Sequence, residues 1–236
     1  MPMPADTRGL PVQKASLLIK ICGLNTPQAV EAAVAAGADL LGFVFFPKSP
    51  RYVVHREAAE LTALARRLAP GAGIVALTVD ASDADLEAII GAIAPDWLQL
   101  HGGETPERVA AVRERFKGGV MKALGVGSAG DVARAHRFAE VADSLLLDAK
   151  PAADAVLPGG NGIPFDHRLI AGERFGVPFL LSGGLHADNV ADAIRLVRPQ
   201  GVDVSSGVES APGVKDAARI AAFVRAAREA LDMVRQ

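Results

Sequence analysis

Short apolar runs recur along the chain at regular intervals. They are rich in Val, Ile, Leu and Phe, and they lie at residues 16–22, 40–46, 73–79, 97–101, 120–126, 144–150, 178–184 and 201–207. Runs of this length and composition are typical of parallel strands that are buried on both faces. Their starting positions lie 23 to 34 residues apart, which leaves room for a helix after each strand. The pattern therefore predicts a strand–helix unit that is repeated eight times.

The segments between the runs carry helix start signals. Thr26-Pro27 and Thr105-Pro106 place a capping residue before a proline suited to the first helical position. No block consists of strands alone or of helices alone, and no stretch has the composition of a linker between domains. We therefore expect a single α/β domain, a (β/α)₈ TIM barrel over residues 16–236. Residues 1–15 contain three prolines and no apolar periodicity, which predicts a flexible leader.

Composition excludes several classes of protein. Half of the residues are hydrophobic and 22% are charged, with a net charge of −2, so the chain lacks the composition of a disordered protein. The balanced charge gives no basic surface for nucleic acid or for an anionic membrane. The apolar runs are far shorter than the roughly 18 residues of a membrane span. One cysteine and a start without an apolar signal segment indicate a reducing, cytoplasmic location.

The barrel fold limits where catalytic side chains can lie. In this architecture they come from the C-terminal ends of the strands and from the loops that follow. Cys22 ends the first predicted strand, His101 the fourth and Asp148 the sixth, while Asp203 lies within the eighth. Asp39 precedes the second strand, which places it at the opposite, stabilising face. The candidate catalytic residues are therefore Cys22, His101, Asp148 and Asp203.

Cys22 is a candidate general base. Gly23 follows it and would give a ligand close access, and Lys20 shares its face of the strand. A neighbouring ammonium would favour the thiolate, the form that accepts a proton. The alternative is that the cysteine serves only as a small buried hydrophobic residue.

Asp148 is a candidate general acid. A carboxyl group that closes an apolar run is expensive to bury without a partner or a task, and burial would raise its pKa. A raised pKa suits a proton donor. The alternative is a structural carboxylate that is paired with Lys150 or Lys122.

The loops after the seventh and eighth strands are candidates for phosphate binding. Glycines and hydroxyl groups beside helix N-termini offer N–H groups and the positive end of a helix dipole. Barrels often bind phosphate at these two loops. Simple turn chemistry would explain either loop alone. The residues concerned are Gly183, Gly184, Ser205, Ser206 and Gly207.

Two other activities fit isolated motifs. Residues 125–130 read GVGSAG, a G-x-G-x-x-G pattern that a dinucleotide-dependent oxidoreductase would use, although that pattern belongs in the first strand–helix turn of its fold. Lys20, Lys122 and Lys150 lie in or just after strands, as the lysine of a Schiff-base lyase or aldolase would. His101 has no second ligand at metal spacing, so no metal site is predicted.

Residues 20–53, KICGLNTPQAVEAAVAAGADLLGFVFFPKSPRYV, resemble the phosphoribosylanthranilate isomerase family of tryptophan biosynthesis. The resemblance continues, in the expected order, through QLHG (99–102), LLLDAK (145–150), GGNG (159–162), LSGGL (181–185) and VDVSSGVE (202–209). It covers essentially the whole chain after residue 15. The fold of this family is a (β/α)₈ barrel, as the hydrophobic pattern predicts.

The resemblance implies an Amadori rearrangement of N-(5-phosphoribosyl)anthranilate. Asp148 matches the general acid of the family, and Cys22 matches its general base. Arg51 corresponds to the arginine that holds the anthranilate carboxylate, and His101 and Asp203 match positions that orient sugar hydroxyls. The phosphate would bind to the loops after the seventh and eighth strands. The resemblance implies no metal and no organic cofactor, and the protein would be a monomer or a homodimer.

The segment between the sixth and seventh strands differs from the usual family pattern. The family more often has threonine at the position of Ala149, threonine or serine at Asn161, and a basic or polar residue at Ile163. This segment is long enough to act as a lid over the sugar.

Overall fold

Eight parallel strands close into a barrel in the computed structural model of the chain, which describes residues 17–150 and 165–234. The strands are β1 (Leu18–Cys22), β2 (Leu40–Val44), β3 (Gly73–Thr78), β4 (Trp97–Leu100), β5 (Gly119–Val126), β6 (Ser144–Ala149), β7 (Phe179–Leu181) and β8 (Gly201–Val204). Each strand pairs with the next in the chain, and β8 pairs with β1. The predicted (β/α)₈ barrel is thereby confirmed. The division into a leader of residues 1–15 and a barrel of residues 16–236 lies partly outside the described residues and stays a prediction.

Helices cover the outside of the barrel. They are α1 (Pro27–Ala35), α2 (His55–Leu68), α3 (Asp83–Ile93), α4 (Pro106–Arg115), α5 (Ala129–Ala139), α6 (Val190–Val197) and α7 (Ala217–Val234). Thr26 and Thr105 cap α1 and α4 as predicted, because each hydroxyl accepts an N–H from the first turn. None of the described helices combines the length and the apolar character that a bilayer crossing requires.

The connection from β6 to β7 differs from the regular pattern. In its described part, residues 165–178, the only helical piece is a 3₁₀ turn at His167–Leu169. Gly172 and Gly176 adopt positive φ angles there, and Pro178 precedes β7. Backbone in that conformation interrupts an α-helix, so the predicted sixth helix is shortened to a turn in these residues.

The barrel interior changes from apolar to polar along its axis. Its N-terminal half is filled by a layer of packed apolar side chains: Leu18, Leu40, Val75, Trp97, Met121, Ala123, Leu146 and Leu180. Further toward the C-terminal ends the buried side chains are polar, among them Lys20, Gln99, Asp148 and Asp203. Asp39 lies at the opposite end as predicted, where its carboxylate accepts the Ile19 N–H at 2.7 Å. The chemistry-bearing groups are therefore concentrated at one end.

Candidate active site

A pocket opens at the C-terminal ends of the strands. Apolar side chains of β2 and β3, including Val44 and Leu77, form one wall. The pocket is lined by every residue that the sequence analysis placed in the site: Cys22, Arg51, His101, Asp148, Gly183, Gly184, Asp203, Ser205, Ser206 and Gly207. The structure therefore brings these ten residues together.

A buried ion pair forms the floor of the pocket. Lys20 and Asp203 are register partners on the neighbouring strands β1 and β8, and Lys20 Nζ lies 2.7 Å from Asp203 Oδ1. The second carboxylate oxygen of Asp203 accepts a hydrogen bond from Ser182 Oγ at 3.0 Å. Burial alone would lower the pKa of Lys20, but the charges of Asp203 and Cys22 outweigh burial and raise this pKa above its ordinary value. Lys20 is therefore a charged ammonium directly beneath the pocket.

The Cys22 thiol interacts with that ammonium, but its pKa does not fall. Burial raises the pKa of Cys22 above its ordinary value, because burial outweighs the opposing effect of the Lys20 charge. The expectation that Lys20 would favour the thiolate is correct in direction, since Lys20 does oppose the rise. The pKa of the thiol is nevertheless raised in the ligand-free chain, because Cys22 is only 3% exposed and the effect of burial is the larger one.

We expect this raised pKa to be visible in the alkylation of Cys22, the single cysteine of the chain. Iodoacetamide reacts with the thiolate, so near pH 8 the folded chain should react much more slowly than free cysteine, and its rate should still be rising at pH values where that of free cysteine has levelled off. The chain unfolded in urea is the control and should react like free cysteine. Rapid alkylation of the folded chain at neutral pH would contradict the raised pKa.

Gly42 of β2 leaves the space that Cys22 and Lys20 occupy. A Cβ atom at this position would lie 3.0 Å from Cys22 Sγ, 3.1 Å from Cys22 Cα and 3.2 Å from Lys20 Nζ. Gly42 is also the register partner of Cys22 on the neighbouring strand. A side chain at position 42 would therefore displace the sulfur or the ammonium.

Asp148 and His101 approach each other across the pocket. His101 Nε2 lies 3.6 Å from Asp148 Oδ2, and Asp148 Oδ1 accepts the N–H of Ala149 at 2.8 Å. Burial, followed by the positive charge of Lys122, lowers the pKa of His101 to about 4, so its ring is neutral at pH 7. The Asp148 side chain is only 6% exposed.

The lysines proposed as alternative partners of Asp148 pair elsewhere. Lys122 Nζ lies 2.6 Å from Glu104 Oε2 and over the ring of Phe138 in α5, which places it on the outer side of the sheet. Lys150 Nζ lies 3.1 Å from Asp131 Oδ1. A Schiff-base lysine must be a neutral amine that reaches the substrate. Lys20, the lysine beneath the pocket, has a raised pKa and an aspartate partner, so the geometry does not support the lyase alternative.

The GVGSAG segment does not form a dinucleotide site. Asp131 Oδ2 accepts hydrogen bonds from the Gly127 N–H at 3.1 Å and from Ser128 Oγ at 2.8 Å, and Ser128 caps α5. A carboxylate thus occupies the donors that a diphosphate would need. In the described part of the chain, no group of three or more His, Cys, Asp or Glu side chains is arranged to hold a metal ion.

Arg51 reaches the pocket from the loop after β2. Its side chain packs directly over Gly23, where a Cβ atom would lie 2.6 Å from Arg51 Cδ. Gly23, with φ of +80°, therefore makes room for Arg51 rather than for the ligand that the sequence analysis expected there. Arg51 Nε and Nη2 donate to the two carboxylate oxygens of Glu209 at 2.7 and 2.9 Å. This bidentate pair fixes the plane of the guanidinium.

Glu209 and Lys215 connect Arg51 to the loop after β8. They lie on a short antiparallel hairpin, β9 (Glu209–Ala211) and β10 (Val214–Lys215). Lys215 Nζ donates to Glu209 Oε1 at 2.7 Å and to the Ser205 carbonyl at 2.9 Å. Burial opposes the charged form of Glu209, but Arg51 and Lys215 prevail and lower its pKa. The carboxylate therefore stays charged and holds both cations.

The two predicted phosphate loops meet at the mouth of the pocket. Residues Ser206–Val208 form a 3₁₀ turn directly after β8, as expected for a short helical piece. The loop after β7 is different, because α6 begins only at Val190, five residues beyond Leu185. Ser205 Oγ donates to the Cys22 carbonyl at 3.1 Å. Donors for an anion would come from the backbone N–H groups of these loops, and not from the end of α6.

Four residues that shape the site were not predicted from the sequence: Gly42, Gln99, Glu209 and Lys215. Gln99 and Glu209 lie inside quoted motifs, yet nothing in the sequence pairs Glu209 with an arginine 158 positions earlier. Gly42 has no outstanding feature within its apolar run, and Lys215 follows a turn that contains Pro212 and Gly213. Alternation along β4 is the one signal that was available, since it places Gln99 on the same face as His101.

Comparison with known proteins agrees with the geometry. A family model described as N-(5'-phosphoribosyl)anthranilate (PRA) isomerase matches residues 19–226. The N-(5'-phosphoribosyl)anthranilate isomerase of Afipia carboxidovorans is 56% identical over 215 residues, which cover 91% of each chain. That of Azorhizobium caulinodans is 57% identical over 212 residues, 90% of this chain and 92% of the relative.

Solved structures are similar over the same range. The crystal structure of phosphoribosyl anthranilate isomerase from Thermotoga maritima has a TM-score of 0.81 and 35% identity, covering 91% of this chain and 100% of that one. A phosphoribosyl anthranilate isomerase in complex with reduced 1-(o-carboxyphenylamino)-1-deoxyribulose 5-phosphate has a TM-score of 0.78 and 34% identity, with the same coverage. The chain therefore belongs to the N-(5'-phosphoribosyl)anthranilate isomerase family, which confirms the resemblance drawn from its sequence.

Proposed function

We propose that this chain converts N-(5-phosphoribosyl)anthranilate into 1-(2-carboxyphenylamino)-1-deoxyribulose 5-phosphate, a step of L-tryptophan biosynthesis. The observation that carries the proposal is the convergence of Asp148 and Cys22 on one pocket that is also lined by Arg51 and by the two loops predicted to bind phosphate. Asp148 lies on β6 and Cys22 on β1, three strands away through β7 and β8. An acid and a base can therefore reach the bound sugar from different sides.

Asp148 acts first, as the general acid. Its carboxyl proton passes to the ring oxygen of the ribose, the bond between C1′ and that oxygen breaks, and the oxygen leaves as a hydroxyl group. The lone pair of the anthranilate nitrogen forms a C=N bond to C1′, which gives a protonated Schiff base. The Ala149 N–H, which donates to Asp148 Oδ1, orients the carboxyl group for this transfer and stabilises the carboxylate that results.

Cys22 acts second, as the general base. Its thiolate removes the proton from C2′, the C–H electrons form a C1′=C2′ bond, and the C=N pair returns to nitrogen. The enolamine then becomes the ketone by moving a proton from the C2′ hydroxyl to C1′. Because the ligand-free thiol has a raised pKa, its thiolate depends on nearby positive charge. Lys20 supplies one such charge, and the Schiff base formed in the first step supplies another.

The remaining site residues bind and orient the substrate. Arg51, which Glu209 holds in place, binds the anthranilate carboxylate. Main-chain donors of the two loops that contain Gly183, Gly184, Ser205, Ser206 and Gly207 bind the phosphate. His101 and Asp203 orient sugar hydroxyls between these two anchors. Anchors at both ends hold the reacting carbon atoms against the acid and the base.

A direct assay tests this proposal. Phosphoribosylanthranilate is freshly prepared and mixed with the purified chain, and the fall in its anthranilate-type fluorescence is followed over time. We expect the fall to be much faster than spontaneous decay and to yield a ketone of unchanged mass. A chain with Asp148→Asn, purified in the same way, controls for contaminating activity. A rate no greater than that of spontaneous decay would refute the proposal.

The same assay tests the tight packing beside Cys22. Gly42→Ala should lower kcat about 3- to 10-fold, because the new methyl group forces the sulfur or Lys20 to move by a few tenths of an ångström. Gly91→Ala is the matched control, since Gly91 is exposed in α3 with open space around it. It should leave kcat unchanged. An unchanged kcat in Gly42→Ala, with the fold intact by circular dichroism, would show that the position of Cys22 is not critical.

The compartment and the assembly belong to the same proposal. We place the enzyme in the cytoplasm, where a reducing environment keeps the Cys22 thiol available. It acts on a small molecule as a monomer or a homodimer. Support for both states comes from a solved relative, which is described as a monomeric form of the dimeric phosphoribosylanthranilate isomerase of Thermotoga maritima. Light scattering of the purified chain distinguishes the two.

A further inference from the structure

Two buried polar atoms in the pocket wall have no hydrogen-bond partner among the described residues. They are Gln99 Oε1 and His101 Nε2, and both side chains line the pocket. Gln99 is only 1% exposed. Buried polar atoms are almost always paired, so two orphans that lie two residues apart at the end of β4 and line the pocket indicate groups that find their partners during function.

The contact between the two side chains determines where the histidine carries its proton. Gln99 Nε2 lies 3.2 Å from His101 Nδ1. An amide nitrogen donates and does not accept, so this contact is a hydrogen bond when Nδ1 is the acceptor, the arrangement that places the single proton of the neutral ring on Nε2. The lowered pKa of His101, which results first from burial, keeps the ring neutral at pH 7. The Nε2–H group faces Asp148 Oδ2 across 3.6 Å.

We propose that Gln99 is a positioning residue, which holds neutral His101 with its proton on Nε2 so that this N–H stabilises the Asp148 carboxylate after proton donation. The proposal rests on the proposed function, in which Asp148 is the acid. When the carboxyl proton has passed to the ribose oxygen, shortening the 3.6 Å gap to the ordinary distance of about 3.0 Å creates a hydrogen bond to the new carboxylate. This bond is stronger to the carboxylate than to the acid, so it favours the transfer.

The other tautomer would work against the reaction. With its proton on Nδ1, His101 would turn a nitrogen lone pair toward the lone pairs of the Asp148 carboxylate, which would oppose loss of the proton. The fixed amide also leaves Gln99 Oε1 as an acceptor in the pocket wall, suited to a sugar hydroxyl. One glutamine thus accounts for both orphan atoms.

Gln99→Met tests the proposal, because methionine keeps the length and volume of the side chain and removes its hydrogen bonds. The first readout is ¹⁵N NMR of the histidine rings in the ligand-free chain, with the His101 signals assigned by their loss in His101→Asn. In the wild type we expect His101 to be protonated on Nε2 and unprotonated on Nδ1. In Gln99→Met we expect a mixture of the two tautomers. The second readout is turnover: kcat should fall about tenfold, the effect of one hydrogen bond, while KM changes less than about twofold.

A double-mutant cycle separates positioning from a general loss of packing. If Gln99 acts through His101, adding Gln99→Met to His101→Asn should change kcat no further. Thr78→Val is the control, because Thr78 Oγ1 is another buried orphan, on the adjacent strand β3. It should leave both the tautomer and kcat unchanged.

Three results would overturn the proposal: a wild-type ring protonated on Nδ1, an unchanged tautomer in Gln99→Met, or fully additive effects in the cycle. A failure of the proposed function looks different. The wild-type chain would then not turn over phosphoribosylanthranilate at all, which refutes the stabilising role toward Asp148, while the NMR experiment on the ligand-free chain still reads the Gln99-dependent tautomer.

Discussion

Asp148→Asn should lower kcat about 10²- to 10⁴-fold while substrate binding survives. The amide has the shape of the carboxyl group, and its oxygen can still accept the Ala149 N–H that now binds Asp148 Oδ1. It has no acidic proton to give to the ribose oxygen, so the ring-opening step loses its general acid. The loss should appear in kcat, because the substitution leaves unchanged Arg51 and the two loops that we propose to hold the two ends of the substrate.

The measurement is a pair of experiments on one preparation. Steady-state fluorescence gives kcat, and calorimetric titration with a stable analogue of the product gives the dissociation constant. Glu140→Gln serves as a matched control, since Glu140 is an exposed carboxylate at the end of α5, remote from the pocket. Turnover near the wild-type rate in Asp148→Asn would exclude Asp148 as the acid. Loss of binding together with turnover would instead indicate a role in holding the substrate.

Cys22→Ser should also lower kcat by about 10²- to 10⁴-fold, for a different reason. A serine hydroxyl fits the space that Gly42 leaves for the sulfur, but it loses its proton far less readily than a thiol. Lys20 and Asp203 remain paired beneath it, so the fold should persist with little change in melting temperature. The variant therefore separates the chemistry of the sulfur from its packing.

The step that fails identifies the role of Cys22. If Cys22 removes the C2′ proton, Cys22→Ser should show a primary isotope effect with substrate deuterated at C2′, because that transfer becomes rate-limiting. Cys22→Ala should be at least as impaired, which controls for residual base activity of the hydroxyl. A Cys22→Ser chain with near wild-type kcat would assign the proton transfer to another group.

Much of the fold and the position of the site could be predicted from the chain, because both follow from local regularities. Eight apolar runs at even spacing require eight buried strands, and strand ends specify one face of the barrel. That is why Cys22, His101 and Asp148 could be grouped without a structure. The family resemblance then added Arg51, whose place in the pocket no periodicity indicates.

The remainder depends on contacts between residues that are distant in the chain. The partner of Arg51 lies on the hairpin after β8, and the space beside Gly23 is filled by Arg51, so neither could be read from a neighbouring residue. The sequence shows the lysine that favours the Cys22 thiolate, but it does not show the extent of burial, which outweighs the lysine and raises the pKa of Cys22. The tautomer of His101 depends on a single distance to Gln99.

The apolar layer below Lys20 has a consequence for the kinetics. The apolar layer, which includes Leu18, Leu40 and Trp97, fills the barrel beneath the site. The pocket is therefore closed at its base and opens among the loops at the strand ends. The ketone must leave through the same opening by which the next phosphoribosylanthranilate molecule enters. Product and substrate cannot occupy the pocket at the same time. We therefore expect the product to inhibit competitively, raising the apparent KM without changing the maximal rate, so that removal of the product by the following enzyme would govern the flux through this one.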